Sequence, residues 1–120
     1  MSDQECGTRG CIHKVVIYKE GCKYRVEPGR LVVHRGAKIV IISLVRSEVR
    51  SEVRSEAAVS VWFPQGVTTQ GPLPIPYGKP QVVVAGNDYG AFPYSVFVSD
   101  DRGADFAEGG SSPRIIVADP

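Results

Sequence analysis

Short apolar segments with a two-residue rhythm recur along most of this 120-residue chain, broken at short intervals by glycine, proline and aspartate. Successive side chains of a β-strand point to opposite faces, so an alternating segment suits a half-buried strand. Segments of this kind are HKVVIYK (13–19), CKYRV (22–26), LVVHR (31–35), AKIVIISL (37–44), AVSVWF (58–63), PQVVVAG (80–86), PYSVFVS (93–99) and RIIVAD (114–119). No stretch repeats its apolar residues at helical spacing between a cap and a stop. The pattern predicts an all-β chain, a sandwich or barrel of about seven to eight strands over residues 13–120, after an N-terminal segment 1–12.

Local detail refines this. In CKYRV, Cys22, Tyr24 and Val26 share one face and Lys23 and Arg25 the other. Glu20-Gly21 and Pro28-Gly29 are turn dipeptides, and Gly36 hinges two strands. The run Ile39–Ile42 has no polar face, which predicts a strand covered on both sides. Val59, Val61 and Phe63 alternate with Ser60, and Pro64 ends that strand because proline cannot donate to a ladder. Residues 64–80 and 100–113 read as loops, the first proline-rich, the second acidic and then glycine-rich.

The insertion at 45–56 is VRSEVRSEVRSE, one tetrapeptide three times. As a helix it would stack like on like: Arg46 with Arg50, Arg50 with Arg54, Glu48 with Glu52, Glu52 with Glu56. Such pairs disfavour a helix. As a strand it places valine and serine on one face and alternating arginine and glutamate on the other, in phase with Ile39 and Ile41 before it and Val59 and Val61 after it. This favours an extended hairpin continuing the strands at 37–44 and 57–63, with a disordered loop and a helix as the alternatives. A projecting ribbon has unpaired edges, and its charged face is self-complementary. A homo-oligomer built through residues 45–56 is therefore expected.

Lysine plus arginine number 14 and aspartate plus glutamate 13. That balance gives no electrostatic reason to expect nucleic acid or an anionic membrane as partner. MSDQECGTRG has neither the positive region nor the apolar core of a signal peptide, and no apolar run is long enough for a membrane span. With three cysteines, an odd count, the expectation is reduced thiols in the cytoplasm.

Cys6, Cys11, His13 and Cys22 make the one metal-type constellation, C-x4-C-x-H-x8-C. Zinc accepts three thiolates and an imidazole, but the usual close pair, C-x2–4-C, fits only at its loose edge and the second half lacks a pair. Buried or free thiols, with His13 and Cys22 facing each other across the first hairpin, are the preferred reading, and a metal-binding protein using this set is the alternative. His34 reads as an edge histidine. Asp100, Asp101, Asp105 and Glu108 do not have the spacing of a calcium loop. Pro72, Pro74 and Pro76, between Leu73, Ile75 and Tyr77, read as a rigid crossover before a polyproline ligand. No nucleophile elbow, phosphate loop or dinucleotide fingerprint is present, so no catalytic residue and no cofactor are assigned and the chain is not expected to be an enzyme.

Taken in order, VHRGAKIVI (33–41), VSVWFP (59–64), GAFPYSVFV (90–98) and PRIIV (113–117) resemble the strand motifs of the cupredoxin-like domains, the Greek-key sandwiches of the blue copper proteins. The resemblance covers roughly residues 13 to 118 and implies that fold. It also implies where copper ligands would stand: histidine at Val59, cysteine at Val96, histidine near Ser99 and methionine within Gly103–Asp105. None of those residue types is there, whereas type 1 copper needs two imidazoles and a thiolate. What remains is a non-enzymatic binding or assembly module on a copper-free sandwich.

Overall fold

The computed structural model describes residues 12–21, 23–45, 48–50, 53–55, 58–69, 71–100, 103–107 and 113–118. Its elements are all strands: β1 (Ile12–Glu20), β2 (Lys23–Glu27), β3 (Arg30–Val33), β4 (Lys38–Ser43), β5 (Glu48–Arg50), β6 (Val53–Ser55), β7 (Ala58–Trp62), β8 (Leu73–Pro74), β9 (Gln81–Val84), β10 (Gly90–Pro93), β11 (Ser95–Asp100), β12 (Gly103–Ala107) and β13 (Arg114–Val117). The eight strands expected from the sequence are present within a few residues of their predicted bounds. β12 corrects the expectation of a loop over 100–113 and β8, paired with β7, that of a loop over 64–80, while β10 is additional. No helix among the described residues is long and apolar enough to cross a membrane.

β1 and β2 form the first hairpin, from Glu20↔Lys23 at the turn to Val16↔Glu27. Gly21, at φ 64°, supplies the left-handed conformation beside that turn. β1 also pairs in parallel with β4, Ile12↔Lys38 to Ile17↔Ser43, and β9 completes a four-stranded sheet in the order β2-β1-β4-β9. A second four-stranded sheet runs β12-β11-β7-β8, and a three-stranded sheet β10-β13-β3 places β3 parallel to β13. Leaving the stretch between β4 and β7 aside, the chain passes from one of these sheets to another after β2, β3, β4, β8, β9, β10 and β12, the interleaved connectivity of a Greek-key sandwich.

The inward residues of all three sheets meet in one core, among them Ile17, Ile39, Val61, Val96 and Ile115. The two-residue rhythm of the sequence is the burial rhythm: Val59, Val61 and Phe63 are buried, Ser60 half-buried, and Ala58 and Trp62 exposed. At about 25 cal/mol per Å² of apolar surface, a core of this kind supplies most of the gross stabilisation.

The Ile39–Ile42 run departs from expectation. Ile39 and Ile41 are fully buried, but Val40 and Ile42 face outward and are half-buried. With Val16, Val84 and the exposed Ile12 and Val82 they form an aliphatic outer face on the first sheet, interrupted by Lys38 between Ile12 and Val84 and by Lys14 beside Val40. The strand is covered by the core on one side only.

Phe63 and Tyr94 pack ring against ring in the core, centroids 4.6 Å apart. The Tyr94 hydroxyl is buried with no hydrogen-bond partner among the described residues, and burial pushes its pKa up. Removing a buried, unpaired hydroxyl relieves a desolvation cost of about 1 kcal/mol or more. Tyr94→Phe should therefore leave denaturant stability unchanged or raise it by about 1 kcal/mol. A loss of that size would mean the hydroxyl is bonded.

Candidate functional site

Three places on the sandwich bear on function: the end where the resemblance puts copper ligands, the opposite end where the two histidines lie, and the ribbon in the repeat.

At the first end, β7 begins beside the end of β11, with Val59↔Val98, Val61↔Val96 and Ala58↔Ser99. Val59 is 6% exposed and Val96 fully buried, both within the apolar core. The backbone here is also committed: the Val59 carbonyl accepts a 2.8 Å hydrogen bond from the Ile75 amide. β11 turns directly into β12 at Asp100↔Gly103, so residues 103–105 are paired strand, with Ala104 opposite Ser99 and Asp105 opposite Val98. Nearby, the buried Ser43 hydroxyl accepts from the Val45 amide at 3.2 Å, and the Ser43 carbonyl accepts from the Gly78 amide at 3.3 Å. Among the described residues here, Val59 and Val96 are buried aliphatic side chains and the Ser43 hydroxyl is hydrogen-bonded. The residues present do not fit a type 1 copper centre.

At the opposite end, β1 sets His13 beside Ile39 of β4, and His34 lies four residues before β4, where its carbonyl accepts from the Ala37 amide at 3.2 Å. The topology thus brings together two histidines 21 positions apart. The Nδ1 of His34 is buried with no hydrogen-bond partner among the described residues. Burial, and next the neighbouring His34, lower the pKa of His13 from its ordinary 6.5. Cys6, Cys11 and Cys22 lie outside the described residues. Of the proposed metal set only His13 can be placed, and no group of three or more His, Cys, Asp or Glu suited to a metal occurs among the described residues. The expected facing of His13 and Cys22 lies outside the described residues, because Cys22 is not among them; the β1–β2 pairing runs from Glu20↔Lys23 to Val16↔Glu27.

The His13 shift fixes a sign. A folded pKa below the unfolded one means that protonation favours the unfolded chain. This stability is present above pH 6.5 and lost as pH falls through the folded value. Between about pH 7.5 and 5, His13→Asn should lose less stability than the parent, as read by denaturant unfolding at each pH. Equal slopes would show that His13 does not titrate differently in the two states.

In the repeat, β5 and β6 pair antiparallel, Glu48↔Ser55, Val49↔Arg54 and Arg50↔Val53, as a separate two-stranded sheet. The extended reading holds for these six residues, with two corrections. First, the ribbon does not continue a hairpin of β4 and β7, because those strands belong to different sheets. It stands in the crossover between them. Second, each pair joins an even-numbered to an odd-numbered position, so a charged position of one strand lies opposite valine or serine of the other. The separation of valine and charge within each strand is not kept across the ribbon.

No family model matches the chain, and no curated protein matches it. Among solved structures, it is similar to a reduced Cu(I) form of an amicyanin variant, at 17% identity over 98% of this chain and 90% of that one, with a TM-score of 0.43. It is also similar to an oxidised amicyanin variant, at 17% identity over 88% and 82%, TM-score 0.43, and to a further Cu(I) variant, at 16% identity over 98% and 90%, TM-score 0.43. The fold is an all-β sandwich whose strands exchange between sheets.

Proposed function

We propose that this chain is a non-enzymatic binding or assembly module on a copper-free cupredoxin-like sandwich, in the cytoplasm, and that it associates with a second copy of itself through residues 45–56. The observation that carries the reading is the ribbon. β5 and β6 pair only with each other among the described strands, which leaves two free edges. A lone two-stranded ribbon is marginal in water, and free edges recruit other strands. Support for the copper-free part comes from the buried valines at positions 59 and 96.

Two measurements test it. Light scattering across a wide concentration range should show an oligomer that dissociates on dilution; a monomer at every concentration would overturn the assembly reading. Copper added to the reduced protein should give no intense blue thiolate band; such a band would overturn the copper-free reading.

A further inference from the structure

The register of the ribbon carries the assembly reading one step further, to a particular edge and a particular pairing. In an antiparallel ladder, pairs that exchange hydrogen bonds alternate with pairs that do not. Arg50↔Val53 closes a two-residue connection, and such a connection closes on a hydrogen-bonded pair. Glu48↔Ser55 is then bonded as well, and Val49↔Arg54 is not. The backbone N–H and C=O of Val49 therefore turn away from β6, as do those of Arg54 away from β5.

Each free edge offers one central residue to a second copy, and the two differ chemically. Pairing β6 with its own copy about Arg54 sets two arginines directly opposite, which is destabilising. Pairing β5 about Val49 sets valine against valine, Glu48 against Arg50 of the copy, and Arg50 against Glu48 of the copy. Both valine amides and carbonyls then join the ladder, and two opposite-charge pairs flank them.

We infer that two copies join edge to edge through β5, antiparallel about a two-fold axis at Val49, turning two ribbons into one four-stranded sheet. This rests on the assembly reading above and names its interface. It is isologous, so the two charge pairs are one Glu48–Arg50 contact repeated by the two-fold axis. Exposed ion pairs are screened, so association weakens as salt rises.

Charge exchange tests it in the full-length chain. Glu48→Arg alone, or Arg50→Glu alone, places like charges opposite one another twice per dimer and should weaken self-association about tenfold or more. An equimolar mixture of those two variants should associate with each other, and the double variant Glu48→Arg with Arg50→Glu should regain parental association. Arg54→Glu should change it by less than about twofold. Failure of rescue in the mixture or the double variant, or a large effect of Arg54→Glu, would overturn the β5 register while leaving assembly through the ribbon standing. If a variant whose repeat is replaced by a flexible linker still associates like the parent, the assembly reading falls, and this one with it. Thermal unfolding of each variant checks that the sandwich is intact.

Discussion

Ile39→Ala should destabilise the protein by about 3–4 kcal/mol, and Val40→Ala, one residue on, by under about 1 kcal/mol. Ile39 is fully buried in β4, with His13 of β1 on one side and Val83 of β9 on the other. Truncation there removes buried methyl groups and leaves a cavity between two layers that cannot both collapse onto it. Val40 is chemically similar and sits in the same strand, but it lies on the half-buried outer face. A domain of this size has about 5–15 kcal/mol of stability in all, so the first change is a large fraction of it. Denaturant unfolding of both variants reads the difference. Equal losses would mean that something covers the outer face as closely as the core covers the inner one.

The second large effect concerns how β4 is joined to β7. Replacing residues 46–56 by Asn-Gly should lower Tm by about 10 °C or prevent folding, whereas a flexible glycine–serine linker of about six residues should leave Tm nearly unchanged. β4 and β7 lie in different sheets. Packed sheets are about 10 Å apart, whereas a two-residue turn brings the residues it joins to about 5 Å. A two-residue turn suits adjacent antiparallel strands. Here it would pull Val45 or Val59 out of the core, at about 1.5–3 kcal/mol for each side chain exposed. If the Asn-Gly variant is as stable as the parent, the two strand ends are much closer than this sheet order implies.

How much of this was legible in the sequence follows from what each signal encodes. The inward parity of Val59, Val61 and Phe63 was legible because alternation reports directly which face is buried. The turn beside Gly21 was legible because dipeptide chemistry is local. That β4 and β7 do not pair was not, because an alternating strand shows its buried face and not its neighbour, and strands adjacent in sequence usually pair. β12 was hidden by Gly103 and Asp105, which are poor strand formers; its pairing with β11 holds it extended. The covered-both-sides reading of Ile39–Ile42 failed because an apolar run cannot distinguish a second core from an aliphatic outer face. At the candidate sites, the missing copper ligands could be read at once from Val59 and Val96. The approach of His34 to His13 could not, since it depends on the parallel pairing of β1 with β4, which no short-range pattern encodes.

The even length of the repeat unit has a consequence for how such a chain can change. A hairpin that gains four residues gains two on each strand, and two residues restore the same side-chain orientation. Gain or loss of one VRSE unit would therefore shift the ribbon tip by about 7 Å without turning any face over. A unit of three or five residues would invert one strand relative to the other at every copying error. Slippage of this tetrapeptide acts instead as a ruler graduated in whole turns of the pattern. Copy number alone sets how long the ribbon edge is, while the sequence presented along that edge stays the same.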